Sequence, residues 1–281
     1  MRIAVTGATG QLGRALQEVA GPRHDLVLFG GSSSPGGLDL RDAAATQRAI
    51  AAARPDWVLH AAAMTDVDGC ERDPDSAHRI NALGTQAVAQ GAASCGARMV
   101  AVSTDYVFDG VRGNYAEVDA PGPRNAYGRS KLEGERLAAQ VLPEVVIART
   151  SVLFGPHKRN FVLWVRSELA AGKPIRIVKD QHVNPTLSFD LADQVLALMR
   201  AEASGVFHAA GATALTRLEM AYAIADHFRL RRDLITSIRS DELSWVAERP
   251  LNATLNTAKV SRLQPPLTFP AALRRLGPVP A

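Results

Sequence analysis

The chain has 281 residues, of which 47% are hydrophobic and 21% charged, and its formal net charge is +4. This length suits one large domain or two modest ones, and the hydrophobic fraction is enough for a buried core. The basic residues are spread along the chain and not gathered in a block, so nucleic-acid binding is not indicated. Cys70 and Cys95 have no metal-ligand spacing and do not suggest a disulfide framework.

The sequence has no signal-peptide core at its beginning and no run of eighteen apolar residues. We therefore expect no association with a membrane, and we expect the protein to be cytoplasmic.

A strand, a glycine-rich turn and a helix open the chain. Ile3 to Thr6 form a short strand-like run, and a helical pattern begins at Arg14. The glycines between them permit a tight turn and a close backbone approach to a pyrophosphate, while the helix N-terminus offers free N–H groups. An ordinary glycine-rich turn would have the same pattern, but this context favours a dinucleotide site. The residues expected to bind the cofactor here are Gly7, Thr9, Gly10, Gln11, Leu12 and Gly13.

The second predicted strand, Leu26 to Phe29, lacks an acidic residue at its end. Dinucleotide folds often place an acid there to bind the adenosine ribose, and its absence leaves room for a 2′-phosphate. Arg14 or the serines at 32–34 would bind that phosphate, so NADPH is favoured and NADH is possible. Asp39 and Leu40 are expected to begin the next helical segment and to contact the cofactor.

A buried strand from Asp56 is expected to end in the small residues Ala61, Ala62 and Ala63. Small side chains at the carboxyl end of a strand allow a cofactor to lie across the sheet edge, although core packing would also favour them.

Two acidic residues, Asp66 and Asp68, follow this strand in a loop. Two acids without further ligands indicate a solvated turn more than a metal site, so we expect no metal.

A further strand is clearly predicted from Met99 to Val102, and Ser103, Thr104 and Asp105 lie at its carboxyl end. In an open α/β sheet, ligands bind at this end of the strands. Tyr127 and Lys131 then stand four residues apart, on one face of a predicted helix. A charge ~4 Å from the phenol, at an effective dielectric of ~20, supplies about 4 kcal/mol, enough to lower its pKa by roughly three units. An isolated pair of this kind can equally be a solvated helix face.

After Arg149 the alternation of strands and helices becomes less regular. We predict an α/β fold, a Rossmann-type doubly wound parallel sheet with a smaller, interleaved C-terminal substrate lobe. Residues 1–149 would form the dinucleotide-binding domain, with 188–212 returning to it. Residues 150–187 and 213–281 would form the substrate-binding lobe.

Three motifs together resemble those of the extended short-chain dehydrogenase/reductases. They are Thr6-Gly7-x-x-Gly10-x-x-Gly13, Ser103-Thr104-Asp105-Tyr106-Val107-Phe108-Asp109-Gly110 and Tyr127-Gly-x-Ser-Lys131. Within that superfamily the chain is similar to the dTDP-4-dehydrorhamnose reductase family over nearly its whole length. The likeness includes Ala61 to Asp68, Arg149-Thr150-Ser151, Asn160-Phe161, Pro185-Thr186 and Arg249 to Asn256.

This resemblance implies NADPH-dependent reduction of the 4-keto group of a nucleotide-linked deoxysugar, with dTDP-4-dehydro-L-rhamnose, reduced to dTDP-L-rhamnose, as the leading candidate. Tyr127 would give a proton to the ketone oxygen, Lys131 would lower the phenol pKa and hold the nicotinamide ribose, and Thr104 would hydrogen-bond the same oxygen. Ser103 would also contact the cofactor. The remaining substrate contacts would be Thr65, Asp105, Tyr106, Val152 and Arg249. Asn81 resembles the asparagine that holds the active site or a proton-relay water, and packing alone would also explain it.

The chain departs from the family pattern at two positions, one that bears on the identity of the sugar substrate and one that bears on a metal-bridged dimer. Members commonly carry a tryptophan where this chain has Val152, and the acid that some place in the first helix to bind a metal at the dimer contact is missing near Arg14. A homodimer is possible. The segments Gly205-Val206-Phe207-His208 and Thr216-Arg217-Leu218-Glu219-Met220-Ala221 also resemble the regulatory beta subunit of methionine adenosyltransferase, a relative that keeps the reductase motifs. A regulatory or partner subunit with a vestigial reductase site, or a reductase or epimerase of another nucleotide sugar, are therefore the alternatives.

Overall fold

A computed structural model describes residues 1–31 and 37–277. Its strands, in chain order, are β1 (Arg2–Thr6), β2 (Asp25–Phe29), β3 (Trp57–His60), β4 (Arg98–Thr104), β5 (Val146–Thr150), β6 (Leu153–Phe154), β7 (Ile175–Val178), β8 (His182–Val183), β9 (Thr186–Leu187), β10 (Gly205–His208), β11 (Leu215–Thr216) and β12 (Ile235–Ile238).

The α-helices are α1 (Gln11–Ala20), α2 (Ala43–Ala53), α3 (Val67–Arg72), α4 (Pro74–Ala77), α5 (Gly84–Ser94), α6 (Ala126–Val141), α7 (Phe161–Ala170), α8 (Ser188–Arg200), α9 (Arg217–His227), α10 (Ala258–Ser261) and α11 (Phe269–Leu276). A π-helical segment, His78–Leu83, joins α4 to α5. Short 3₁₀ turns lie at Asp105–Val107, Arg232–Leu234 and Ser240–Glu242.

In the described part of the chain, six parallel strands form the central sheet in the order β10-β5-β4-β3-β1-β2. The chain moves outward from β1 to β2 and then returns to β3 on the other side of β1, so the strand order reverses between β1 and β3. In open α/β sheets, ligands bind outside the carboxyl ends of the strands at this point. The predicted α/β, doubly wound parallel fold is confirmed.

Hydrophobic layers cover both faces of the sheet. On one face the buried Leu12 and Leu16 of α1 pack with Leu191 and Leu198 of α8. On the other face, side chains of α2, α5 and α6 form a second core that includes the fully buried Ile50. Because both faces are covered, the strands are apolar on both sides and read as continuous hydrophobic runs in the sequence.

A third hydrophobic core holds the second half of the chain together. Here α7, α9 and α11 pack around the paired strands β7 and β12, and Phe154 meets Phe269 edge to face with ring centroids 5.7 Å apart. Two further pairs, β6 with β9 and β8 with β11, have two residues in each strand. Within residues 1–31 and 37–277, no helix is both long and apolar enough to cross a membrane.

The prediction that a helix begins at Asp39 and Leu40 was wrong. Helix α2 begins at Ala43, and Asp42 is its N-cap, accepting a hydrogen bond of 2.9 Å from the Ala45 amide. Asp39 is held in the preceding turn, because its carboxylate binds Arg41 at 2.7 Å and its carbonyl accepts the Asp42 amide. The local side-chain contacts of an aspartate favour such turns over a helix interior.

Candidate active site

The main cavity lies at the carboxyl ends of β1, β3 and β4 and encloses about 620 Å³. Its lining combines the glycine-rich turn, the end of β3, the end of β4 and the start of α6. The lining residues are Gly7, Thr9, Gly10, Gln11, Leu12, Gly13, Gly31, Ala61, Ala62, Ala63, Thr65, Val102, Ser103, Thr104, Asp105, Tyr127, Lys131, Thr150, Val152, Leu153, Lys158 and Arg159.

Two glycines of the turn occupy positions without room for a side chain. Gly7 has a left-handed backbone (φ 72°), and a Cβ there would lie 2.7 Å from the Ala62 amide nitrogen. A Cβ at Gly13 would lie 2.4 Å from the Gly7 carbonyl oxygen. The turn is therefore packed directly against the end of β3, and the N-terminus of α1 faces the main cavity with no acidic residue in its first turn.

Tyr127 and Lys131 lie one turn apart on α6, whose N-cap is the buried Asn125. Burial raises the pKa of the Tyr127 phenol, and a hydrogen bond with Thr104 opposes part of that effect. Burial also lowers the pKa of Lys131 to about 8, against the attraction of Glu135. The phenol pKa is therefore raised overall, because the cost of burying its charge exceeds the effect of the hydrogen bond with Thr104. That Lys131 lowers this pKa stays a prediction.

A buried ion pair lies beneath Lys131. Glu135, one further turn along α6, binds Arg149 of β5 through Nη2 at 2.7 Å and Nε at 3.1 Å, and it also accepts a hydrogen bond from Ser103. Both charged side chains are less than a tenth exposed. Through Glu135, α6 is connected to the ends of β4 and β5, and this sets the distance of Tyr127 and Lys131 from the sheet.

Asn81 sits in the π-helical segment and is fully buried. Its Oδ1 accepts the Met64 amide at 2.8 Å, and its Nδ2 donates to the Met64 carbonyl and to Ser130 Oγ, both at 3.0 Å. Ser130 in turn donates to the Tyr127 carbonyl at 2.9 Å. The Asn81 side chain therefore holds the loop after β3 against α6.

His60 forms a second buried contact beside this network. The Thr85 hydroxyl donates its proton to the backbone carbonyl of Asn81, and its oxygen therefore accepts a hydrogen bond from His60 Nε2 at 3.0 Å. The other ring nitrogen, His60 Nδ1, accepts a hydrogen bond from the Thr6 hydroxyl at 2.7 Å. Burial, with a smaller effect of Lys131, lowers the His60 pKa to about 3. His60 is therefore neutral, and its hydrogen bonds fix one tautomer.

Asp105 is 3% exposed and borders the main cavity. Its Oδ1 accepts the Thr104 hydroxyl at 3.0 Å, and its Oδ2 accepts the Ser151 hydroxyl at 2.6 Å. Burial raises its pKa to about 6, although these hydrogen bonds and the positive charge of Arg217 act in the opposite direction. The carboxyl group therefore titrates near neutral pH.

A second pocket of about 390 Å³, here called the side pocket, lies next to the main cavity and is lined mostly by the second half of the chain. Three cations and four aromatic rings border it. Arg217 is linked to Tyr106 through Gln181 by contacts of 3.2 and 3.4 Å. Its lining residues are Val67, Tyr106, Phe161, Trp164, Arg176, Ile177, Val178, Gln181, Arg217, Leu243, Trp245 and Arg249.

Comparison with known proteins places this arrangement in a family. A family model described as the RmlD substrate binding domain matches residues 1–276. The dTDP-4-dehydrorhamnose reductases of Sinorhizobium fredii and Streptomyces griseus are 33% and 37% identical to the chain, over 93% and 99% of it and 91% and 97% of their own lengths. A solved dTDP-4-dehydrorhamnose reductase from Bacillus anthracis, in complex with NADP, is 32% identical, with a TM-score of 0.90 and coverage of 98% and 96%. The chain belongs to the dTDP-4-dehydrorhamnose reductase family.

The resemblance to dTDP-4-dehydrorhamnose reductases is thus confirmed, and most of the predicted site residues meet in the main cavity. Tyr106 and Arg249 line the side pocket instead. Arg14, Asp39 and Leu40 line neither space. Arg14 is exposed and donates to the Thr9 carbonyl at 3.4 Å. The serines at 32–34 lie outside the described residues.

Val152 has a left-handed backbone (φ 38°), which is unusual for a β-branched residue. Its carbonyl accepts the Thr186 amide at 3.1 Å, so the bend is held by a contact with β9. The bend places Val152 on the wall of the main cavity, at the position where members of this reductase family commonly carry tryptophan. Strain of this kind is typical of functional sites.

Several lining residues of this reductase were not identified from the sequence. Lys158 and Arg159 border the main cavity, and Arg217, Gln181, Trp164 and Trp245 border the side pocket. The Lys158-Arg159 pair just before the Asn160 helix cap is a signal that could have been used. The others lie in segments whose local patterns indicate an ordinary helix or loop.

The interpretation of Asp68 as part of a solvated turn was wrong. Its Oδ1 accepts Arg249 Nη1 at 2.5 Å and the Ala247 amide at 2.9 Å. Arg249 also lies over the Trp245 ring, with its Cζ 5.0 Å from the ring centroid. Asp68 therefore fastens the segment around Trp245 to α3 at the edge of the side pocket. Among the described residues, no group of three histidine, cysteine or acidic residues is arranged to hold a metal.

The Asp68–Arg249 pair predicts a pH dependence of stability. The hydrogen bond from Arg249 lowers the Asp68 pKa from 3.8 to about 2. The stabilisation is therefore present above pH 3.8 and is lost as the pH falls through 2. We expect Asp68→Asn to lower the free energy of unfolding by about 1 kcal/mol at pH 7, since the pair is partly solvated.

Urea unfolding of the wild type and Asp68→Asn between pH 7 and pH 3 measures this effect, with Asp233→Asn in the exposed Arg231 pair as the control. The difference between wild type and Asp68→Asn should shrink below pH 4. A difference that stays constant to pH 3, or one no larger than that of the control, contradicts the prediction.

Proposed function

We propose that this chain uses NADPH to reduce the 4-keto group of a nucleotide-linked deoxysugar, with dTDP-4-dehydro-L-rhamnose as the leading substrate and dTDP-L-rhamnose as its product. The observation that carries the proposal is the meeting of Thr104, Tyr127 and Lys131 in one cavity with the glycine-rich turn. Relatives named dTDP-4-dehydrorhamnose reductase over more than nine tenths of the chain support it.

The residues of the main cavity fit a dinucleotide. Gly7 and Gly13 allow the turn to pack closely on the end of β3 and on the start of α1, and Gly10 between them would let the backbone approach the pyrophosphate. The buried Thr150 hydroxyl on the cavity wall has no hydrogen-bond partner among the described residues, so it is available to a polar ligand group. NADP is the cofactor bound in the Bacillus anthracis relative. The reduced nicotinamide would supply the hydride.

The phenol of Tyr127 would supply the proton to the sugar oxygen. Because burial raises its pKa, the phenol is neutral at physiological pH, which is the form that donates a proton. Lys131 would bind the ribose hydroxyls and offset the negative charge that forms on Tyr127 and on the sugar oxygen. Thr104, at the end of β4, would orient the same oxygen.

The side pocket would hold the nucleotide part of the substrate. Its arginines Arg176, Arg217 and Arg249 suit a diphosphate, and its aromatic rings suit a base. Tyr106 borders this pocket while Asp105 borders the main cavity, so the sugar would lie where the two spaces meet. Thr65 and Val152 would contact it from the main cavity.

We also propose the division of the chain at 149/150, with 188–212 belonging to the dinucleotide-binding domain and with 150–187 and 213–281 forming the substrate lobe. The return of β10 to the central sheet supports this division. A cytoplasmic location and a homodimer stay predictions, and size-exclusion chromatography with light scattering tests the second.

The proposed activity is tested by NADPH oxidation with a panel of nucleotide-linked 4-keto sugars. We expect turnover with dTDP-4-dehydro-L-rhamnose and slower turnover with other 4-keto sugars. Tight NADPH binding without oxidation by any member of the panel would favour the regulatory alternative and overturn the proposal.

Replacing the proton donor tests the role of Tyr127. Tyr127→Phe should lower kcat at least about a hundredfold, since a positioned general acid contributes that much or more. NADPH affinity should stay within a few-fold, because the ring still fills the same space. Tyr222→Phe, in the hydrophobic core of the second half of the chain, is the matched control. Unchanged turnover in Tyr127→Phe would remove the phenol from the mechanism.

Lys158 and Arg159 are the proposed phosphate-binding cations of the main cavity. Neither has a carboxylate partner within residues 1–31 and 37–277, and the Lys158 amide donates to Gln11 at 2.8 Å, which fixes this loop beside the N-terminus of α1. We expect Arg159→Ala to weaken NADPH binding about tenfold. The exposed Arg14→Ala is the matched control.

Calorimetric titration of both variants with NADPH and NADH shows whether Arg159 binds the pyrophosphate or the 2′-phosphate of the cofactor. An equal loss for the two cofactors in Arg159→Ala indicates contact with the pyrophosphate, and a loss confined to NADPH indicates the 2′-phosphate. If Arg14→Ala weakens NADPH binding and Arg159→Ala does not, the assignment of the cation is wrong.

A further inference from the structure

A backbone segment from the second half of the chain lies between the side pocket and helix α6. Residues 243–249, here called the connecting segment, supply Leu243, Trp245 and Arg249 to the wall of the side pocket. Within this segment the described backbone forms neither helix nor strand. Because no ladder of backbone hydrogen bonds holds these residues, their position depends on contacts with neighbouring elements.

Helix α3 contacts both the connecting segment and the start of α6. Asp68 of α3 accepts hydrogen bonds from Arg249 Nη1 at 2.5 Å and from the Ala247 amide at 2.9 Å. Glu71 of the same helix accepts the amide of Ala126, the first residue of α6, at 2.7 Å. The connecting segment and the first turn of α6 are therefore held against the same short helix.

Asn125 joins the connecting segment directly to α6. It is fully buried and is the N-cap of the helix, where its Oδ1 accepts the Gly128 amide at 2.8 Å. Its Nδ2 donates to the carbonyl of Glu248, 123 positions away in the chain, at 2.7 Å. Since an amide N–H can only donate and a carbonyl can only accept, these two contacts fix the orientation of the Asn125 amide.

The contact with Glu248 is not needed for capping. A second asparagine N-cap, Asn160 at the start of α7, accepts the Leu163 amide at 3.1 Å and donates to two carbonyls within five residues of itself. Serine, aspartate and asparagine are about equally good N-caps. The long-range hydrogen bond of Asn125 is therefore a separate feature, which connects the backbone next to Arg249 with the helix that carries Tyr127.

We propose that Asn125 couples occupancy of the side pocket to the position of Tyr127, an inference that rests on the proposed reductase function. The nucleotide part of the substrate contacts Trp245 and Arg249 and so fixes the connecting segment. The Glu248 carbonyl then holds Asn125 and the first turn of α6, and Tyr127 follows two residues later. Asn125 lines neither the main cavity nor the side pocket, so it is a positioning residue.

This coupling makes the nucleotide contribute to the chemical step. Binding energy from a part of the substrate that does not react raises kcat where it is used to place the reacting groups. A displacement of about 1 Å at the reacting groups costs roughly a hundredfold in rate. Loss of the Asn125–Glu248 contact should therefore lower kcat. NADPH affinity should change little, because the glycine-rich turn is not part of this contact.

Two variants, Asn125→Ser and Asn125→Asp, test the coupling. Both keep an oxygen that caps α6, and both lose the N–H that reaches the Glu248 carbonyl. They differ from each other in size and charge, so an effect common to both comes from the lost donor. In NADPH oxidation with dTDP-4-dehydro-L-rhamnose we expect kcat to fall about tenfold in each, with KM and NADPH affinity within a few-fold of the wild type.

Glu248→Ala is the matched control. The Glu248 side chain is exposed and lies 3.6 Å from the exposed Arg124, and such pairs contribute little. The substitution removes this side chain and leaves the carbonyl that Asn125 contacts. We therefore expect wild-type kcat and KM in Glu248→Ala.

Hydrogen exchange measures the coupling without turnover. When the wild type is saturated with dTDP, with binding followed by calorimetry, the amides of residues 126–131 should exchange several-fold more slowly than in the free protein. Neither Asn125 variant should show this slowing, whereas Glu248→Ala should show it in full. A role in capping alone would change exchange in the free protein but not its response to dTDP.

Each outcome decides the proposal. Binding of dTDP to the wild type without slower exchange of residues 126–131 overturns the coupling, and this result does not depend on the folding of any variant. Wild-type kcat in either Asn125 variant, or a higher KM with unchanged kcat, also overturns it and leaves the proposed reductase function in place. Absence of dTDP binding or of NADPH oxidation in the wild type would overturn the proposed function together with the coupling.

Discussion

The close approach of α6 to its neighbours sets the geometry of the whole site. A Cβ at Gly134 would lie 2.4 Å from the Asn81 carbonyl oxygen, and one at Gly128 would lie 2.2 Å from the Tyr106 carbonyl oxygen. Any side chain at either position would push the helix away from the π-helical segment or from the turn after β4. Since Tyr127 and Lys131 extend from this helix, the two glycines determine how near they lie to Thr104.

Burial, more than the attraction between charged groups, controls the proton affinities at this site. It raises the pKa of Tyr127 and lowers that of Lys131 to about 8. The attraction of one nearby ammonium would lower the phenol pKa, but the removal of both groups from water acts against the charged form of each. For the proposed reduction this result is favourable, because the neutral phenol would be the proton donor. The buried Glu135–Arg149 pair positions α6, and the charge of Glu135 partly offsets the effect of burial on the Lys131 pKa.

Local sequence patterns were sufficient to predict the parts of the site that lie within one strand, turn or helix. The strand, turn and helix around Gly7 to Gly13 and the four-residue spacing of Tyr127 and Lys131 are each contained in a few residues. The partner of Asp68 is 181 positions away along the chain, and no local pattern indicates such a contact. Likewise, Gln181 and Arg217 of the side pocket are adjacent in the chain to the paired strands β8 and β11, whose two residues each are too few to show a periodic pattern.

The turn after β4 connects the two spaces. Asp105 and Tyr106 are adjacent in a 3₁₀ turn capped by Thr104, yet the first borders the main cavity and the second borders the side pocket. Adjacent side chains in such a turn point in different directions. Neighbouring residues of one turn therefore face two spaces with different linings. Tyr106 is linked to the second half of the chain through Gln181 and Arg217, whereas the Thr104 hydroxyl is held within the turn itself by Asp105.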